Sequence, residues 1–250
     1  MFGLPESINA KEMEPSSSQE PVGAKGLVIF SHPDDAEGGC GGTTAQWTKE
    51  GKVIHYLALT NGDKGTDDPS MTSDKLAGIR EKEQEAAAKV LGVSGVTFLR
   101  VPDGELEATP SLRKEITRLI RQNQPHFLFT HDPWRLYQLH TDHRATGFLA
   151  LDAMMAARDR LFYPDHLSQG LEPCRVREIF LFGTENADFW VDISESIERK
   201  LEAVRCHKSQ GLHFRSVQER IRNRALEVGK AQGYLYGEAF KRVDRSSPFP

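Results

Sequence analysis

Cysteine is nearly absent: Cys40, Cys174 and Cys206 stand far apart in a chain of 250 residues. That spacing excludes a disulfide framework and makes a reducing cytoplasm the expected compartment. Long apolar runs are missing too, and nothing approaches the ~20 residues that a membrane-spanning helix needs. The opening Met1-Phe2-Gly3-Leu4-Pro5 lacks the charged and apolar regions of a secretory leader. Positive charge is not in excess. The net charge of −4 leaves no basic footprint for nucleic acid or an anionic membrane, so neither is an expected partner. Internal repeats are lacking, as is any linker that would divide the chain. A single domain over residues 25–250 is therefore expected. Before it, residues 1–24 are rich in Ser, Glu and Pro with little to bury, and are expected to be a flexible arm.

What is present is a regular alternation. Gly26–Ser31, Val53–Leu59, Val96–Leu99, His126–Thr130 and Glu178–Phe182 are apolar or β-branched runs of strand length. Between and after them lie helical patterns, near Glu37–Glu50, Lys75–Leu91, Ser111–Gln122, Asp142–Ala157, Ser194–Lys208 and Val217–Gly229. Strands alternating with helices predict an α/β fold: a Rossmann-like, mostly parallel sheet with helices on both faces. Trp47 and Trp190 are expected in its core. The glycines at 38, 39, 41 and 42 do not make a dinucleotide fingerprint. The Gly-x-Gly-x-x-Gly spacing from Gly39 would need glycine where Thr44 stands. They suit close helix–strand packing instead.

The chemistry concentrates after the first strand. His32-Pro33-Asp34-Asp35-Ala36-Glu37 follows the run Gly26–Phe30, at the carboxyl end where open α/β sheets bind ligands. Pro33 turns the chain, so the histidine and both aspartates can converge. A second cluster, His140-Thr141-Asp142-His143, opens a helix after the fourth strand. Imidazole and carboxylate in this combination suit a catalytic zinc with three protein ligands and an open position. We assign His32, Asp35 and His143 as ligands of one Zn2+ per chain, at the C-terminal strand ends. Asp34 is left over as general base. His140 is placed on the substrate side, where an imidazolium could stabilise an oxyanion and pass a proton to the leaving nitrogen. Asp142 is expected to orient it and raise its pKa. Glu37 reads as a first-turn carboxylate favoured by the helix dipole.

Both clusters resemble the two signatures of the LmbE-like, or PIG-L, zinc N-deacetylases, and the likeness runs from about residue 26 to 240. Arg80-Glu81-Lys82-Glu83, Asp103, His207-Lys208-Ser209-Gln210 and Tyr236-Gly237-Glu238-Ala239-Phe240 resemble further segments of that family. The stretch from Asp132-Pro133-Trp134 to Thr146-Gly147-Phe148 is most similar to the diacetylchitobiose deacetylase branch. The resemblance implies release of acetate from an N-acetyl amino sugar, with Arg80 and Asp103 holding sugar hydroxyls. It also implies a homo-oligomer, a trimer or hexamer. Two departures stand out: Thr141 occupies a position where proline is common, and Asp63 one where sugar-thiol members carry glutamate. The second bears on substrate identity. Trp134 and Tyr137, in the loop before His140, either stack on a sugar ring or pack beneath the loop. His207 reads as a complement to a helix's negative pole. Arg80 and Asp103 have the alternative of a structural ion pair. The leading expectation is a zinc-dependent N-deacetylase acting on an N-acetylglucosamine-type sugar or small conjugate. The alternatives are an amidase for a thiol–sugar conjugate and a non-catalytic metal- or sugar-binding protein.

Overall fold

The computed structural model describes residues 22–245. Most of the expected arm lies outside these residues. Its last part is docked, with Gly23 N–H donating to Gly51 O at 3.0 Å and Ala24 buried. Strand β1 (Lys25–Phe30) leads through His32 and Pro33 into helix α1 (Asp35–Lys49). There follow β2 (Val53–Thr60), α2 (Ser73–Leu91), β3 (Val96–Val101), α3 (Pro110–Asn123), β4 (Phe127–His131) and α4 (Thr141–Arg158). A short α5 (Pro164–Ser168) precedes β5 (Glu178–Phe182), β6 (Phe189–Asp192), α6 (Ile197–Val204), α7 (Arg215–Lys230) and β7 (Gly237–Asp244).

The seven strands form a sheet in the order β3-β2-β1-β4-β5-β7-β6. Strands β1 to β5 run parallel, as the alternation predicts, while β7 pairs antiparallel with both β5 and β6. The chain steps outward from β1 to β3, then returns to the other side of β1 as β4. The crevice between β1 and β4 is thus the point where strand order reverses, the usual ligand position in such sheets.

Period-two alternation divides the core. In β1, Val28 and Phe30 join a cluster with Trp47 of α1 and Leu91 of α2. Leu27 and Ile29 face the other way, toward Ile116 of α3 and Leu149 of α4. The first layer is aromatic: Trp47 meets Phe127 edge-on at 4.9 Å, and Phe129 stacks on Phe180 at 4.8 Å. Helix α1 comes close to the sheet because Gly39 has no side chain; a Cβ there would lie 2.6 Å from the Phe182 ring. The helix also breaks once, at Cys40 (φ −143°), which frees backbone groups on either side. Glu238 accepts from Gly42 N–H, Thr43 N–H and Thr43 Oγ1, while Lys200 Nζ bonds Gly38 O and Glu238. On the opposite layer, Arg121 is 1% exposed and donates to five backbone carbonyls between Ala156 and Tyr163. It satisfies carbonyls that the C-terminus of α4 would otherwise leave unpaired.

Three expectations need correction. The pair β6 and β7 was not foreseen as strands. Trp190 is half-buried rather than core, because β6 is an edge strand. The helix expected over 194–208 is regular only from Ile197 to Val204.

Candidate active site

His32 stands at the centre of the site. Its Nδ1 faces Asp35 Oδ2 at 3.2 Å and His143 Nε2 at 3.3 Å. Its Nε2 faces Asp142 Oδ2 at 3.0 Å and Asp103 Oδ1 at 3.2 Å. The two ring nitrogens therefore have separate duties. One looks into the expected ligand set, and the other is anchored by carboxylates that fix its tautomer. Burial pulls the His32 imidazole down, but its hydrogen bonds to Asp103, Asp142 and Asp35 outweigh this and hold it up to about 12.

His32, Asp35 and His143 offer one ligand atom each, all within 4.8 Å of one another. Two imidazoles and a carboxylate at this spacing fit a zinc-type ion. His32, Asp103 and His140 meet the same spacing. However, Asp103 reaches His32 through Nε2, the nitrogen that Asp142 already holds. Asp35 is held well below the usual carboxylate range: burial opposes this, but the charge of His131 and hydrogen bonds from His131, His143 and His32 prevail.

Asp34 follows Pro33 with φ 121° and ψ −22°, a conformation that L-residues rarely adopt. Strain of this kind persists only where surroundings over-determine it, and it gathers at functional sites. Its carboxylate is not part of the ligand group and meets Arg80 Nη2 at 3.1 Å. Burial first, and then the charge of Asp35, push the Asp34 carboxyl up to about 7, against the pull of Arg80, His207 and His32.

His140 caps the start of α4 and is exposed. Its ring stacks on His143 at 4.6 Å and lies 4.5 Å from the His32 ring. The expectation that Asp142 orients His140 does not hold. Residues two apart at a helix start face different directions. The Asp142 carboxylate turns inward, where it meets His32 and accepts from Gly104 N–H at 2.7 Å and Leu106 N–H at 3.3 Å. Nor is the His140 pKa raised: burial lowers it, the charges of His32 and His143 add to this, and Asp142 offsets only part.

Arg80 forms its ion pair with Asp34, not with Asp103. It is 3% exposed, and its donors go to Pro33 O at 2.7 Å, Gly62 O at 2.9 Å and Asp34. A helix that packs its first turns beneath the β1–α1 loop presents this side chain inward. Asp63 accepts from Asp103 N–H at 2.8 Å, so it sets the loop that carries Asp103. Trp134 and Tyr137 are not packed beneath their loop; they are 63% and 85% exposed.

One residue of the site, His131, has no sequence reading, and two others, Glu37 and His207, have partners that the sequence does not indicate. His131 ends β4, stacks on His143 at 4.2 Å and points Nε2 at Asp35 Oδ2 at 3.4 Å. Glu37 lies in the first turn of α1 as expected, but it is wholly buried and accepts from Gln84 Nε2 at 2.8 Å. His207 complements no helix pole: its Nε2 pairs with Glu37 Oε2 at 3.2 Å. A histidine ending an apolar strand was the one available signal for His131. Gln84 carried only its position one turn after Arg80.

Known proteins resemble this chain over most of its length. Residues 27–154 match the family described as PIG-L: GlcNAc-PI de-N-acetylase. The chain is 37% identical over 221 residues to the diacetylchitobiose deacetylase of Thermococcus kodakarensis, covering 88% of this chain and 83% of that protein. It is 30% identical over 192 residues to a probable N-acetyl-alpha-D-glucosaminyl L-malate deacetylase 2 of Bacillus anthracis, covering 74% and 80%. Among solved structures, the N,N'-diacetylchitobiose deacetylase of Pyrococcus horikoshii in complex with its inhibitor MPG superposes with a TM-score of 0.83. The identity is 36%, with 90% of this chain and 87% of that one covered.

Proposed function

The chain belongs to the PIG-L family, and from that premise we propose that it is a zinc-dependent hydrolase that removes acetate from an N-acetylglucosamine-type sugar, diacetylchitobiose foremost. The observation that carries this reading is the strained Asp34 beside a ligand set that does not use it. A purely structural metal site is closed and has no use for such a base. A zinc ion held by His32 Nδ1, Asp35 and His143 would supply Lewis-acid polarisation of the acyl oxygen and a water acidic enough to attack at neutral pH.

The protein's own groups do the rest. Asp34, with a pKa of about 7, takes the proton of the attacking water and returns it to the departing sugar nitrogen. His140, kept neutral by its lowered pKa, donates an N–H to the developing oxyanion from the solvent side of the ligands. Asp142 and Asp103 hold His32 in one tautomer, and His131 backs Asp35 and His143. Asp103, partly exposed on its loop, and the rim aromatics Trp134 and Tyr137 are the groups offered to the sugar. Three free cysteines support a cytoplasmic setting, and the exposed apolar side chains Leu136 and Leu139 at the rim support a homo-oligomer.

Acetate release from diacetylchitobiose, N-acetylglucosamine and a thiol conjugate of it tests the substrate. Preference for the thiol conjugate would move the chain to the alternative amidase reading. Asp34→Asn tests the chemistry: it keeps its zinc while turnover falls about 10²–10⁴-fold. Near-normal turnover in that variant would remove Asp34 from the mechanism.

A further inference from the structure

The peptide joining Pro33 to Asp34 is gripped at both ends from one helix. Its carbonyl accepts from Arg80 Nη2 at 2.7 Å, and its N–H donates to Gln84 Oε1 at 3.0 Å. Arg80 and Gln84 are four residues apart on α2 and so share a face. Arg80 spreads its donors over Pro33 O, Gly62 O and Asp34, whereas Gln84 gives its amide oxygen to this peptide alone. Its Nε2 donates to Glu37 Oε1 at 2.8 Å, and an ionised carboxylate can only accept. The amide oxygen of Gln84 is thereby turned toward Asp34. Glu37 is fixed in turn by His207 Nε2 at 3.2 Å, and the segment bearing His207 is tied back to α2 by Ser209, which donates twice to Glu83. Gln84, Glu37 and His207 are each 0% exposed. Nothing in this chain of contacts touches the ligand atoms or opens to the crevice.

We propose that Gln84, oriented by Glu37 and His207, is a positioning residue that holds the Pro33–Asp34 peptide in its strained conformation and so aims the base. The proposal rests on the reading of Asp34 as general base. The strain supplies the reason for the relay. A backbone with φ 121° relaxes unless both ends of its peptide are held, and relaxation would swing the Asp34 carboxylate out of line. Gln84 therefore affects turnover only through Asp34, and a merely structural glutamine would not have that property.

A double-mutant cycle on the zinc-loaded enzyme, with diacetylchitobiose as substrate, separates the two. Gln84→Met keeps the side-chain length and removes both hydrogen bonds. Displacing a reacting group by about 1 Å costs on the order of 10²-fold, and kcat should fall by that amount with KM and zinc content unchanged. In the Asp34→Asn background the same substitution should change kcat by less than about twofold, because the group it aims is gone. An equal loss in both backgrounds, or no loss beside native Asp34, overturns the relay while leaving the base assignment intact. Near-normal turnover of Asp34→Asn alone overturns the base assignment and the relay with it. Should Gln84→Met fail to fold, His207→Gln in the same cycle decides by the same criterion, with a smaller expected loss because it acts through two contacts.

Discussion

Two buried glutamates flank the break in α1, and they serve opposite ends. Glu238, on β7, accepts from the amides freed by the kink and pairs with Lys200, which also binds the freed carbonyl of Gly38. Every contact of that group closes on the helix itself. Glu37, one turn earlier, gives its oxygens to Gln84 and His207, and through Gln84 reaches the peptide of Asp34. Burial and charge are alike in the two cases. What differs is where the hydrogen bonds lead: one set repairs a backbone defect, and the other ends at a reactive carboxylate. Burial of an ionised group is thus no guide to its role until its partners are followed outward.

The comparison can be broken in four ways. The largest effect belongs to Asp35→Ala, which removes a ligand: zinc should fall well below one ion per chain by metal analysis, with turnover lost alongside it. Next, Glu238→Ala leaves Lys200 buried and unpaired, and should cost about 3–5 kcal/mol in urea unfolding. Turnover per folded molecule should stay near normal; a deep fall in kcat would erase the distinction between the two glutamates. His140→Ala should do the reverse. Loss of an oxyanion donor lowers kcat about 10²–10³-fold, while zinc content is kept and unfolding changes by no more than about 0.5 kcal/mol, as for other surface positions.

The smallest effect is in pH dependence. Burial lowers His207, but the hydrogen bond and charge of Glu37, with Asp34 and Glu83 beyond, raise it above its ordinary value. A raised folded-state pKa gives stability that is fully present below the unfolded value of about 6.5 and lost as pH rises through the folded one. The difference in unfolding free energy between the zinc-loaded parent and His207→Gln should therefore shrink on going from pH 6 upward, by no more than about 1.4 kcal/mol per pH unit. A difference that grows with pH would mean that His207 is buried neutral.

The parallel strands were legible because each is an apolar run bounded by turns, and the convergence of His32, Asp35 and His143 because two of them are three residues apart after one strand. The antiparallel pair of β6 and β7 was not. β6 is a four-residue edge strand, and the second half of β7, Lys241 to Asp244, is half-buried to exposed and carries three charges where an apolar run would have announced a strand. Asp142 was misread for a different reason. Adjacency in sequence placed it beside His140, whereas the first turn of α4 sends it to His32. Gln84 and Glu37 meet 47 residues apart, and no local pattern carries a contact between two helices.

Helix α4 is fastened at both extremities, by Asp142 beneath His32 and by Arg121 under its last carbonyls. Gly147 presses so closely on the His131 carbonyl and Pro133 that a Cβ there would lie within 2.8 Å of either. The stretch from Trp134 to Leu139 therefore hangs between two fixed posts, and nothing in the ligand set depends on its course. A lineage could rewrite the outer part of that mouth while keeping Gln138, whose side chain accepts from His140 N–H at 3.2 Å. That outer part is the segment to transplant between relatives when a different substrate is wanted.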